Sequence, residues 1–199
     1  MPKAKQRSFA NNYLESRVED NYSRFIFSTY ALCVLGILFT FRNIYYQLND
    51  LSGELKDFYL AIWVSLIIFP MCFRFILESA KKRQDLRRVD LNMMFFASIM
   101  CILAASISAL QSLTSPNFTA FAFVVLGTVT AYRASTQKYI VIMSLTMAQF
   151  SLVYFMYFGQ PFSLLFILPP IAMCVMSFLI ANSLEQNRRH TLELSIDLK

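Results

Sequence analysis

The sequence predicts an all-α polytopic membrane protein, with six transmembrane helices in an antiparallel bundle and both termini in the cytoplasm. Three observations predict it. Hydrophobic residues make up 57% of the 199-residue chain and charged residues only 15%, which is too apolar for an ordinary soluble domain. The charges are segregated: no Asp, Glu, Lys or Arg lies between Asp90 and Arg133, or between Lys138 and Glu185. A spanning helix needs about 20 apolar residues at about 1.5 Å rise each, so each gap holds two helices joined by a turn. The third observation is how the basic residues fall between the apolar runs.

The first run, Phe25 to Phe41, extends toward Tyr46, and the second covers Phe58 to Phe73. The third, Leu91 to Leu110, follows Asp90, which suits an N-cap. "TSPN" then breaks the chain, with Ser115 able to cap and Pro116 suited to a first helical turn. The fourth run, Phe118 to Tyr132, is the shortest. "RASTQK" turns into the fifth, Tyr139 to Phe158, and "GQP" into the sixth, Phe162 to Leu184. Short connections make consecutive helices antiparallel neighbours. The runs lack the alternating ten-residue pattern of a transmembrane barrel.

All but two of the 18 Lys and Arg residues fall in the N-terminal tail, the second and fourth loops and the C-terminal tail, the exceptions being Arg42 and Lys56. The positive-inside rule therefore expects both termini in the cytoplasm. The net charge of +6 follows from topology and attraction to anionic headgroups, so no nucleic-acid partner is expected. The first apolar run follows a basic stretch without an A-x-A site and reads as a retained signal anchor. The expected organisation is a basic cytoplasmic tail over residues 1–24, a transmembrane domain over 25–185, and a cytoplasmic signalling helix or linker over 186–199.

Catalytic signatures are sparse. The sequence has no Gly-rich phosphate loop, HExxH, G-x-S-x-G or paired intramembrane carboxylates. Cys33, Cys72, Cys101 and Cys174 are scattered one to a run, without CxxC spacing and with His190 as the single histidine. No metal site, cofactor or catalytic residue is expected from this pattern. Spans three to six carry no ionisable group at depth, unlike most ion and proton carriers.

The spans hold packing and kink chemistry instead. Ala97, Cys101, Ala105 and Ala109 form a small-residue stripe that suits close helix contact, within the bundle or between two copies. Pro70 in the second run and the doublet Pro169–Pro170 in the sixth each remove an amide donor and predict kinks. Ser144, Thr146 and Gln149 form a candidate intramembrane polar site, with interhelical hydrogen bonding as the default for Gln149 and the lining of a ligand pocket as the alternative. Pro169, Pro170, Leu184, Leu194 and Leu198 are the candidate residues for passing a signal along the sixth helix.

The C-terminal stretch carries the clue to function. Leu184, Asn187, Thr191, Leu194 and Leu198 follow the three-four spacing of a coiled-coil seam, and predict a homodimer through this helix. Here the sequence resembles bacterial signalling proteins in which a multi-span input region precedes a GGDEF diguanylate cyclase domain. Those domains open on a pattern like L-S-x-x-D-x-L-T-G-L-x-N-R, and "LELSIDLK" resembles the approach to it through Leu194, Ser195 and Asp197. The spacing differs by one residue after Ser195, Lys199 stands where leucine is usual, and T-G-L-x-N-R does not occur in the chain. The resemblance implies a sensory module of the bacterial inner membrane, with the lipid bilayer as its surroundings and a fused or associated cytosolic output domain as its partner. The parent activity it implies is cyclic di-GMP synthesis, with the catalytic residues outside this chain. An input region of a histidine kinase, a small transporter and a scaffold subunit are the alternative readings.

Overall fold

The computed structural model describes residues 3–46, 53–111, 118–158 and 164–197. Among these the chain is almost wholly helical, without strands. Six helices follow one another: α1 (Lys3–Tyr46), α2 (Gly53–Lys82), α3 (Leu86–Gln111), α4 (Thr119–Ala131), α5 (Thr136–Phe158) and α6 (Leu164–Asp197). Four stretches are long and apolar enough to cross a membrane: Leu60–Lys82, Leu86–Leu110, Thr136–Tyr157 and Ile167–Thr191. α4 has 13 residues, a length of about 20 Å against a hydrocarbon core of about 30 Å. Ser115 and Pro116, the expected signals before α4, lie outside the described residues.

α3 is the hub, packed against α1, α2, α4 and α5, while α6 packs on α4 and α5. This follows from its sequence. Its stripe Ala97, Cys101, Ala105 and Ala109 is wholly buried, so small side chains bring neighbouring helices close to its axis. The stripe is therefore used within the chain. Larger side chains fill the remaining space: Phe96 meets Phe25 edge-on at 4.7 Å and Phe73 at 5.6 Å, while Phe150 packs on Phe121 at 5.9 Å. Edge-to-face geometry places the positive ring edge on the negative face of its neighbour. In lipid, burial of apolar area between helices gains little, and such packing with interhelical hydrogen bonds carries the association.

The outward faces of α2, α5 and α6 are apolar. Ile68, Met71 and Phe75, then Leu152, Phe155 and Met156, then Leu168, Val175 and Leu179 are all exposed. A surface of this extent is unsuited to water and suited to acyl chains. α1 and α2 approach closely at Gly36, where an added Cβ would stand 2.8 Å from Ile67 Cγ1.

α2 ends in a Schellman turn: Asp85 N–H donates to the Ala80 carbonyl at 3.4 Å and Gln84 N–H to that of Lys81 at 2.9 Å. The turn requires a left-handed residue, and Gln84 takes φ 56°. Asp85 then caps α3, its Oδ1 accepting from Arg88 N–H at 3.0 Å. This corrects the sequence expectation that Asp90 is the cap. Leu86, Arg87 and Arg88 continue the helical pattern toward the N-terminus, so α3 starts a turn earlier and Asp90 falls inside it.

The stretch expected as a basic tail is helical from Lys3 and continuous with the apolar part of α1. α6 likewise runs from Leu164 to Asp197 with Pro169 and Pro170 within it. The doublet lies near the start of α6, about 22 Å along the axis from Glu185.

Candidate functional site: an ionic layer at one end of the bundle

Four segments distant in sequence meet at one end of the bundle: α1 over 13–24, the start of α3, the link between α4 and α5, and α6 over 182–189. Their convergence requires successive helices to alternate in direction. A ladder of side chains on α1 makes it. Leu14, Arg17, Val18, Asn21, Tyr22 and Phe25 recur at three- and four-residue spacing, one face of a helix, and Val18 and Phe25 are buried.

Asp90 sits at the centre. It is 5% exposed, and its Oδ2 accepts from Arg17 Nη2 at 2.9 Å and pairs with the Lys138 ammonium. A buried carboxylate is tolerable only when paired and hydrogen-bonded; two cations from different helices meet that need at Oδ2, while Oδ1 is buried without a hydrogen-bond partner. The Tyr132 hydroxyl donates to the Asp90 carbonyl at 3.4 Å. Asp90 thereby ties α1, α3 and the head of α5 together.

Asn21 fixes the α4–α5 link. Its Nδ2 donates to the Arg133 carbonyl at 2.7 Å and its Oδ1 accepts from Arg133 N–H at 2.8 Å. A side-chain amide thus satisfies both backbone groups of a residue outside any helix, as buried non-helical backbone requires. Tyr139 adds a bond from its hydroxyl to the Tyr132 carbonyl.

The same face of α1 clasps α6. The Tyr13 hydroxyl donates to Glu185 Oε1, which also accepts from Arg189 Nε at 3.3 Å. Arg188 Nη2 donates to Asp20 Oδ2 at 2.9 Å and to Ser16 Oγ at 3.0 Å. The guanidinium groups of Arg17, Arg188 and Arg189 stand 5.6, 5.9 and 5.6 Å from the centre of the Tyr13 ring, within cation–π range. Burial, then the Glu185 carboxylate, raises the Tyr13 phenol above its ordinary pKa, so the hydroxyl keeps the proton it donates. One turn earlier on α6, Asn182 pairs with Thr136 of α5 at 3.2 Å.

α6 presents two faces here. Ala181 and Glu185 are buried, and with Arg188 they form the inner face, from which Glu185 and Arg188 reach α1. Leu184, Asn187, Thr191 and Leu194 are exposed, centred about 100° around the helix. Of the candidate transmission residues, Pro170 is buried and Pro169 partly so, while Leu184 and Leu194 are 44% and 52% exposed. Leu198 lies outside the described residues.

The intramembrane trio is not one site. Ser144 is exposed, whereas Thr146 is buried and bonds back to the Ile142 carbonyl at 2.7 Å. Gln149 Nε2 donates across to Ser106 Oγ of α3 at 3.0 Å, an α3–α5 cross-link. At similar depth Cys101 of α3 and Thr128 of α4 are 3.2 Å apart. No group of His, Cys, Asp and Glu able to hold a metal occurs among the described residues.

Sequence reasoning missed Tyr13, Arg17, Asp20, Asn21 and Glu185 as site residues. The signal available was the apolar–polar ladder of α1, which continues the phase of the first apolar run upstream of Arg24. No known protein family, curated protein or solved structure matches the chain.

Proposed function

We propose that this chain is a membrane-embedded input module that anchors and regulates a cytosolic output domain of diguanylate cyclase type. The observation that carries the reading is the clasp on α6. One helix extends from the apolar bundle to Asp197, and α1 grips it around Glu185 and Arg188 where it leaves the apolar layer. A change in bundle packing that moves α1 or the α4–α5 link therefore acts directly on the departing helix.

The proposed topology has six spans in the bacterial inner membrane with the ionic layer, both termini and the basic loops on the cytoplasmic side. The short α4 fits such a bundle because helices that pack on protein need not match the bilayer thickness on every side. The exposed row Leu184, Asn187, Thr191 and Leu194 supports pairing of two copies through α6. Pairing suits a cyclase, because condensing two GTP molecules requires two active sites to meet.

The test is a fusion of an intact GGDEF domain after Lys199, read as cyclic di-GMP. Replacing Leu194 and Leu198 with Asp should lower output sharply while membrane insertion is unchanged. Unchanged output would make the exposed row irrelevant to signalling. Reporter fusions after Leu113 and after Lys199 should fall in opposite compartments, and a shared compartment would overturn the six-span topology.

A further inference from the structure

The positive charge of the ionic layer is unevenly balanced. Asp90 is engaged by Arg17 and Lys138, and Glu185 by Tyr13 and Arg189. On the other side, Arg133 Nη1 at 3.1 Å and Arg188 Nη2 at 2.9 Å converge on one oxygen, Asp20 Oδ2. Arg24 lies one turn beyond Asp20 on the same helix. Its pKa is lowered by burial first, then by the positive charge of Arg133, with Arg188 adding to it and Asp20 opposing. Two arginines, from the α4–α5 link and α6, thus share one oxygen of a carboxylate that is 47% exposed, and Arg24 of α1 is near enough to feel their charge.

A second observation points to a missing acceptor. The Arg188 side chain is only 10% exposed, and its Nη1 is buried without a hydrogen-bond partner. A buried donor on a charged group left without an acceptor is costly. Arginines kept only to mark the cytoplasmic side would extend into water, as Arg83, Arg87 and Arg88 do. Arg188 instead points its fork inward beside like charges.

We infer that Arg24, Arg133 and Arg188 form a binding site for a phosphate-bearing anion where α1, the α4–α5 link and α6 meet. Planar guanidinium forks match phosphate oxygens in pairs, and a phosphate supplies both the missing acceptor and the missing negative charge. Two sources present this chemistry: the headgroup of an acidic lipid, abundant against a cytoplasmic basic layer, and a soluble phosphate. An anion here bridges α6 to α1, so its occupancy tightens the clasp. That consequence rests on the proposed role of α6, whereas binding itself does not.

The test uses the purified full chain in neutral detergent with equimolar phosphatidylglycerol and phosphatidylcholine, read by native mass spectrometry of retained lipid. A lipid source predicts retention of phosphatidylglycerol over phosphatidylcholine by roughly tenfold, falling about tenfold in Arg133→Gln and Arg188→Gln, the loss expected of a charge-assisted hydrogen bond. Arg87→Gln, exposed in the first turn of α3, should retain the wild-type preference. A soluble source predicts instead that millimolar inorganic phosphate raises the melting temperature of the lipid-free chain, and that Arg24→Gln or Arg188→Lys removes the rise. Equal retention of the two lipids together with no effect of phosphate on the wild-type chain overturns the site, even if a variant fails to fold. So does a loss in Arg87→Gln equal to that of the arginine variants, because diffuse surface charge then accounts for binding. Failure of the cyclase fusion with lipid preference intact would remove the signalling role and leave the site standing.

Discussion

Asp90→Asn is the substitution with the largest expected effect on the bundle. It keeps the shape of the side chain and removes its charge, leaving Arg17 and Lys138 without their carboxylate. Arg17 is 9% exposed and cannot recover hydration without moving, whereas Lys138 is 25% exposed and can turn partly to water. Removing one partner of a buried ion pair costs about 3–5 kcal/mol. With one of the two cations able to rehydrate, the lower end applies, about 3 kcal/mol or roughly 150-fold in the opening equilibrium. The comparison is Glu78→Gln, which breaks the half-exposed i,i+4 pair with Arg74 and should cost about 0.3–0.5 kcal/mol. Reversible unfolding in mixed micelles, with SDS as denaturant and the single Trp63 as fluorophore, measures both. Adding Arg17→Met to Asp90→Asn should restore about 1 kcal/mol or more, because the stranded cation is gone. If Asp90→Asn costs no more than Glu78→Gln, the carboxylate is not holding the layer.

Gly36→Val should destabilise the chain by about 1–3 kcal/mol in the same micelle assay, because its first carbon already crowds Ile67 Cγ1; a neutral result would place α1 and α2 further apart. Gln84→Gly should stabilise by about 1 kcal/mol, since the left-handed turn at φ 56° costs any residue with a Cβ, and a loss of stability would refute the turn. The Tyr13 phenol has its pKa raised by burial and then by Glu185. Its contribution is therefore full below the ordinary phenol value of about 10 and is lost as pH rises through the folded value. Hydrogen exchange at α1, corrected for its intrinsic pH dependence, should show flat protection from about pH 6 to 9, and a decline within that window would contradict the assigned donor.

Much of the fold was legible because apolar runs and their breaks follow directly from the length and composition of a helix in lipid. The third run shows the limit of that reading. Leu91 begins the uncharged stretch, but helices do not end where hydrophobicity ends, and Asp85 outcompetes Asp90 as the cap because its position follows the Gln84 turn. The N-terminal half of α1 reads as a tail for the same reason. Its charges suggest solvation, yet Arg17 and Asn21 are buried because partners from other helices reach them. Those partners are not encoded locally. Arg17 and Asp90 are 73 residues apart and Asn21 and Arg133 are 112 apart, and no periodicity connects such positions. Gln149 was legible as a polar residue needing a partner, while its partner Ser106 depended on the register of α3 against α5. Ser144 follows the same composition signal but falls on the opposite face.

The proposed control of an output domain by α1's grip on α6 is tested by weakening that grip alone. The full chain fused to an intact GGDEF domain is compared with its Tyr13→Phe, Glu185→Gln double variant, which removes the hydroxyl and the carboxylate charge of the clasp while keeping both shapes. Cyclic di-GMP is measured per unit of inserted protein. Output should change at least about tenfold, from the roughly 1.5–3 kcal/mol carried by a charged hydrogen bond, with insertion and oligomeric state unchanged. Output equal to wild type, with the bundle intact, would contradict it.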